Sequence, residues 1–176
     1  MSGHNKWSQI KNKKAVTDGK KSKIFSKYAR LISLESKRVN GDVNSATLRS
    51  VIEKAKKENM PSDNIDRAVK KGKGGEGGEM ETIIYEGYGP GGCGIIIEAL
   101  TDNRNKAAAE IKHAFTKRGL ALGTPGSASW NFDKTLDGYI PKLTTPLSDE
   151  DLEKLEALVD ELEDNDEVQK VYTSAE

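Results

Sequence analysis

One short stretch constrains the fold of this chain more than any other. Gly72-Lys73-Gly74-Gly75-Glu76-Gly77-Gly78 places five glycines in seven residues, and the spacing of apolar residues changes across it. Before it, apolar side chains recur every three to four residues, the signature of helices with one buried face. After it they alternate, the signature of half-buried strands. A glycine-rich stretch has too little side chain to join a core and too much backbone freedom to continue a helix, so it reads as a linker. The chain of 176 residues is therefore expected to form two parts, residues 1–75 and residues 79–176.

The first part reads as a three-helix bundle. Ile24, Tyr28, Leu31 and Ile32 share one face of a helix running from about Val16 to Asn40-Gly41-Asp42, a sequence suited to a helix C-terminus. Leu48, Val51, Ile52 and Ala55 form the apolar row of a second helix, which Asn59-Met60-Pro61 breaks. Pro61 suits the first turn of a third helix that buries Ile65, Ala68 and Val69, with Gly72 as its stop. Residues 1–15 hold little to bury and several like charges, and read as a mobile arm that orders on a partner.

The second part is expected to be a small α/β sandwich, so the whole chain belongs to the α+β class. Thr82–Tyr88 and Cys93–Thr101 read as strands joined by Gly89-Pro90-Gly91-Gly92. Asp102 is placed to cap a helix from Asn103 to about Arg118 that buries Ala108, Ile111, Ala114 and Phe115. Ser127–Phe132 and Gly138–Ile140 read as further strands. Ser148 opens a helix burying Leu152, Leu155, Val159 and Leu162, and Val168–Tyr172 is a last strand. The expected sheet is antiparallel or mixed, with two helices on one face.

Charge divides along the same boundary. The formal net charge is zero, yet residues 1–75 carry 19 Lys or Arg against 7 Asp or Glu, and the remainder is acidic by the same margin of 12. Residues 1–30 concentrate nine cations against Asp18 alone. A lysine-rich helix face is often only a solvated surface. Here no acids are interleaved to form pairs along the helix, and unpaired like charge destabilises a fold, so a polyanion is the expected partner. Lys6, Lys11, Lys13, Lys14, Lys20, Lys21, Lys23, Lys27 and Arg30, with Lys70 and Lys71, are the candidate phosphate contacts. Trp7 could stack on a base or pack back onto the protein. Arg104, in the sequence Asp102-Asn103-Arg104-Asn105, could meet an anion at a helix start, although capping is the simpler role. The acidic second part is expected to meet a protein partner or another copy of the chain.

Other chemistry is excluded. The glycines at 89–94 lead into Ile95-Ile96-Ile97 and lack the Gly-Lys-Ser/Thr of a phosphate-binding loop, so they read as a turn. His4, His113 and Cys93 are the only imidazoles and thiol. They cannot assemble a zinc site of ordinary spacing, and no nucleophile–base pair is legible. No cofactor, no metal and no enzymatic activity are expected. The acids of 149–167 fall on the polar face of an amphipathic helix. Cys93 alone cannot form an internal disulfide, and no stretch is long and apolar enough to span a membrane. The first 14 residues have no apolar core of the signal-peptide kind, so a cytoplasmic location is expected.

Five segments carry a family resemblance: GHNKWSQIKNKKAVTDGKKSKIFSK, ENMPSDNIDRAVKKGKG, YEGYGPGGCGIIIEALTDNRNKAAAEIKHAFTKRG, LGTPGSASWNF and LEDNDEVQKVY. Together they closely resemble the YebC/PmpR family. The resemblance implies a DNA-binding transcriptional regulator, or alternatively a ribosome-associated translation factor that meets ribosomal RNA with the same lysines. Members of that family usually carry a further domain inserted after the strand equivalent to 127–132. Here Asp133-Lys134 runs through Gly138-Tyr139-Ile140 almost directly to Pro141 and Ser148, so that domain is missing near 134–142.

Overall fold

The computed structural model describes residues 5–13, 16–75 and 79–176. It divides into two compact units. One is Val16–Glu81, and the other joins the N-terminal segment through Ala15 to Thr82–Glu176.

Three helices build the first unit: α2 Asp18–Arg38, α3 Ala46–Lys57 and α4 Ser62–Lys73. Their ends follow from local chemistry. The Thr17 hydroxyl accepts the Lys20 N–H and the Ser45 hydroxyl accepts the Leu48 N–H, satisfying donors that a helix start leaves orphaned. At the other end of α2 the chain turns left-handed at Asn40, φ 52°, and the Gly41 N–H returns to the Ser36 carbonyl at 2.8 Å. The end of α3 repeats this device. Asn59 is left-handed at φ 65°, the Met60 N–H reaches the Ala55 carbonyl at 3.1 Å, and Met60 is buried. Ile32, Leu48, Ala55, Met60, Ile65 and Ala68 form the core between the three helices.

Helices α2 and α4 pack closely because small residues line their contact. Ser33 Oγ donates to the Ala68 carbonyl at 3.0 Å and Ser36 Oγ to the Val69 carbonyl at 2.6 Å. A Cβ on Gly72 would lie 2.3 Å from the Ser33 carbonyl oxygen, so only glycine fits there. The expectation that Gly72 stops the helix is therefore corrected. It lies inside α4, the cap falls at Gly74, and the left-handed turn follows at Gly75. Pro61 is the residue before the helix rather than within its first turn.

The second unit is built on a three-stranded sheet in the order β1-β2-β5, from β1 Glu81–Tyr88, β2 Gly94–Thr101 and β5 Val168–Thr173. Strands β2 and β5 run antiparallel, with Ile95 opposite Thr173 and Ile97 opposite Val171. Ile95, Ile97 and Ala99 point to one face of the sheet, where helices α5 Arg104–Thr116 and α6 Asp149–Asp164 cover them. The core there joins them to Ile111, Ala114 and Phe115 of α5 and to Leu155, Leu158, Val159 and Leu162 of α6. Two helices on one face of an antiparallel sheet is the expected α+β architecture. The inward alanine of α5 is Ala107 rather than Ala108, and the cap is Asn103 rather than Asp102, through the Asn103 side chain accepting the Lys106 N–H at 3.1 Å.

Residues 127–132 do not form the expected strand. They make a single tight turn, Ser129–Asn131, before β3 Phe132–Thr135, which pairs with β4 Gly138–Pro141 in a separate two-stranded sheet. The reason is Glu86. Its buried carboxylate accepts the Ala128 and Ser129 N–H groups at 2.8 and 2.9 Å, taking donors a strand would have given to a neighbour.

The N-terminal segment is also corrected. Lys6–Lys13 is a helix, α1, and it packs with the acidic second unit instead of standing as a mobile arm. Among the described residues no helix is long and apolar enough to cross a membrane.

Candidate nucleic-acid interface

Helix α2 carries Lys20, Lys23, Lys27, Arg30 and Lys37 at successive spacings of three, four, three and seven residues. At 100° per residue they span about 100° on the side of the helix away from Ile32, and Arg30 and Lys37 form the edge of that stripe nearest α4. Helix α4 turns Asn64, Arg67, Ala68 and Lys71 toward this edge, again at spacings of three, four and seven from the first. Between the helices runs a groove of about 560 Å³. Phe25, Ala29, Leu34, Met60, Ala68 and Met80 give it apolar walls, Arg30, Lys37, Arg67 and Lys71 give it cations, and Ser22, Ser26 and Ser33 add hydroxyls. Among the described residues no carboxylate lines it.

Three acids of this unit make contacts outside the groove. Glu35 accepts Arg38 at 2.8 Å, Glu53 faces Arg49 at 3.5 Å, and Asp42 accepts the Asn44 N–H at 3.0 Å. Arg67 is oriented by its own helix, through the Asp63 carbonyl at 3.3 Å and Asn64 Oδ1 at 2.5 Å. A concave surface lined by several cations concentrates positive potential, the field that draws polyanions.

The candidate residues separate into distinct places. Lys20, Lys23, Lys27 and Arg30 lie on the α2 stripe and Lys71 on the groove, whereas Lys21 lies off the stripe. Lys70 lines a different depression, of mixed charge, with Arg49, Glu53 and Asp66. Lys6 and Lys11 belong to the other unit, where they pair with Asp149 at 3.1 Å and Glu163 at 2.9 Å. Trp7 packs against the core of that unit, with the Lys11 ammonium 5.8 Å from its ring centre. Lys13 is exposed on α1, and Lys14 and His4 lie outside the described residues. Arg104 is exposed at the start of α5. Arg67 and the apolar groove were missed by the sequence reading. Their signal was present in the four-residue step from Arg67 to Lys71, which puts both on one helix face.

A second built feature lies on the α+β unit. Tyr88 Oη donates to the Ser127 carbonyl at 2.5 Å, and Trp130 Nε1 donates to Tyr88 Oη at 2.9 Å and to the Ser127 carbonyl at 3.0 Å. Trp130 is nonetheless 59% exposed. Beneath it, burial pushes the Glu86 carboxyl up, but hydrogen bonds from the Ser129, Ala128 and Gly126 backbone and the Ser129 hydroxyl outweigh that and hold it below its ordinary value. Cys93 is fully buried, and burial pushes its thiol up to about 11. Among the described residues no group of three or more His, Cys, Asp or Glu could hold a metal ion.

These features define a two-unit protein in which a helical unit with a cation-lined groove accompanies an acidic α+β unit. Comparison with known proteins places it more narrowly. The TACO1/YebC protein N-terminal domain matches residues 5–75, and the TACO1/YebC second and third domain matches residues 80–136 and 137–175. The chain belongs to the TACO1/YebC family. A "probable transcriptional regulatory protein" of Thermoanaerobacter pseudethanolicus is 40% identical over 239 aligned positions, covering 100% of this chain and 97% of the relative. Another of the same description, from Trichlorobacter lovleyi, is 48% identical over 98% of this chain and 70% of its own length. A conserved hypothetical protein from Aquifex aeolicus has a crystal structure that matches with a TM-score of 0.80 at 29% identity, covering 90% of this chain and 91% of the other. The two family segments abut between Leu136 and Asp137, the tip of the β3–β4 hairpin.

Proposed function

We propose that this protein is a non-enzymatic, cytoplasmic, nucleic-acid-binding regulator of gene expression, acting as a DNA-binding transcriptional regulator. The carrying observation is the cation-lined groove between α2 and α4, with Arg30 and Lys37 on one side and Arg67 and Lys71 on the other. Phosphates supply most of the affinity in any nucleic-acid complex, and this surface offers cations on two rigid elements. The two relatives, each described as a "probable transcriptional regulatory protein", support the regulatory role. The same cations would serve a ribosome-associated translation factor on ribosomal RNA. What favours that second reading is the recess itself, since a duplex reader presents a protruding helix to the major groove.

The test is titration of the intact chain against a labelled DNA duplex and a structured RNA by fluorescence anisotropy. Arg67→Glu with Lys71→Glu should weaken binding at least tenfold without altering the circular dichroism. Unchanged affinity in that variant would remove the groove as the interface. Sedimentation of a lysate with and without nuclease separates the two readings, because a translation factor would travel with ribosomal subunits.

A further inference from the structure

We infer that α1 is a releasable latch: the carboxylates of α6 hold its lysines until a polyanion takes them. The inference rests on the nucleic-acid reading above and concerns how that binding is regulated. Residues 1–15 carry four lysines and no acid, whereas residues 82–176 carry eighteen acids against nine Lys or Arg. The lysine-bearing helix is thus docked on the oppositely charged part of its own chain. The contacts are Lys6 to Asp149, Lys11 to Glu163, and Trp7 against the core. A nucleic acid, like the α6 carboxylates, presents anionic oxygens and therefore competes for the same ammonium groups.

The dock is weak enough to be exchanged. Helix α1 has eight residues and no fully buried side chain, and a helix of that length does not persist in water without its dock. The Lys6 and Asp149 side chains are 62% and 86% exposed, so water and salt screen their attraction. The Lys11–Glu163 pair is better shielded, at 30% and 37%, and together with Trp7 gives the latch its hold. When docked, Lys6 and Lys11 are neutralised within the molecule. When released, they join Lys13 and Lys14 as a basic segment free to follow a phosphate backbone, and counterions leaving that backbone favour the exchange.

The test uses the intact chain and three measurements. Trp7 and Trp130 are the only tryptophans, so Trp130→Phe leaves Trp7 as the sole reporter. Heparin supplies polyanion without bases that would quench it. Saturating heparin should shift Trp7 emission to the red and raise its quenching by acrylamide at least twofold. Asp149→Asn with Glu163→Gln should show the same exposed Trp7 without heparin and bind a DNA duplex at least fivefold more tightly than Asp102→Asn with Asp137→Asn, which removes equal charge outside α6. In the unmodified chain, amide exchange at residues 6–13 should accelerate about tenfold between 50 and 500 mM salt, with α6 unchanged. Heparin binding with Trp7 unmoved overturns the latch while the nucleic-acid reading stands, as does an affinity gain no larger than in the charge-matched control. Exchange indifferent to salt at 6–13 also overturns the latch. A folded chain that binds neither heparin nor duplex removes both.

Discussion

At the scale of single residues, three positions show how packing overrides composition. Gly72 reads as part of a flexible linker but is an obligate glycine of a helix contact. Gly72→Ala would improve helix propensity and still cost roughly 1–3 kcal/mol, because the Ser33 carbonyl and the Ser36 side chain leave no space for a methyl group. Urea denaturation followed by circular dichroism checks this, and an unchanged midpoint would refute it. Glu86 holds the 126–129 turn through charge-assisted hydrogen bonds. Its folded carboxyl titrates below the unfolded one, so its stabilisation is fully present above about pH 4.5 and is lost as pH falls through the depressed folded value. Glu86→Gln should cost about 1–3 kcal/mol at pH 7 and much less at pH 3. An equal cost at both pH values would show that the charge is not what holds the turn. Cys93, fully buried and pushed up to about 11, should resist iodoacetamide at pH 8 until the protein is unfolded. Modification of the folded protein, read by mass spectrometry, would contradict its burial.

At the scale of elements, α2 to α6 were legible because their apolar spacing is local, whereas α1, too short and too charged to show such spacing, was not, and the caps at Gly74 and Asn103 were placed elsewhere. Apolar spacing marks the buried face, and Asn40-Gly41, Asn59 and Ser148 act within a few residues of themselves. Strand assignment fared less well at 127–132, where the decisive group is Glu86, some forty residues away in sequence. The α2 stripe makes a quantitative prediction. Replacing Lys20, Lys23 and Lys27 together by alanine should make the plot of log affinity for a duplex against log salt shallower by about 2.7, at about 0.9 per phosphate contact. A slope unchanged by the triple replacement would place these lysines off the interface.

At the scale of the whole molecule, charge is organised by unit rather than by chain half. Residues 16–81 retain a basic excess after α1 is assigned to the acidic unit. A fragment of residues 16–81 should bind nucleic acid with the salt dependence of the groove, provided low temperature keeps so small a core folded. Residues 82–176 alone should not bind. Binding by the second fragment and none by a folded first fragment would reverse the assignment.

What the sequence by itself determined is whatever acts over one or two helical turns or a strand pair: a helical and a sheet-bearing part with different periodicity, the α+β class, the helix ends at Asn40 and Ser148, and the cationic composition. The family could also be read from it, because the matching segments are long and occur in order. Only the tertiary structure decided which charges meet. Lys6 and Lys23 are alike in composition, yet one is paired with Asp149 and the other lies on the α2 stripe. Arg67 became part of a groove only when Gly72 let α4 settle against α2. A charge count records how many cations a segment holds. The acid that neutralises each of them can lie more than a hundred residues away, and folding alone brings the two together.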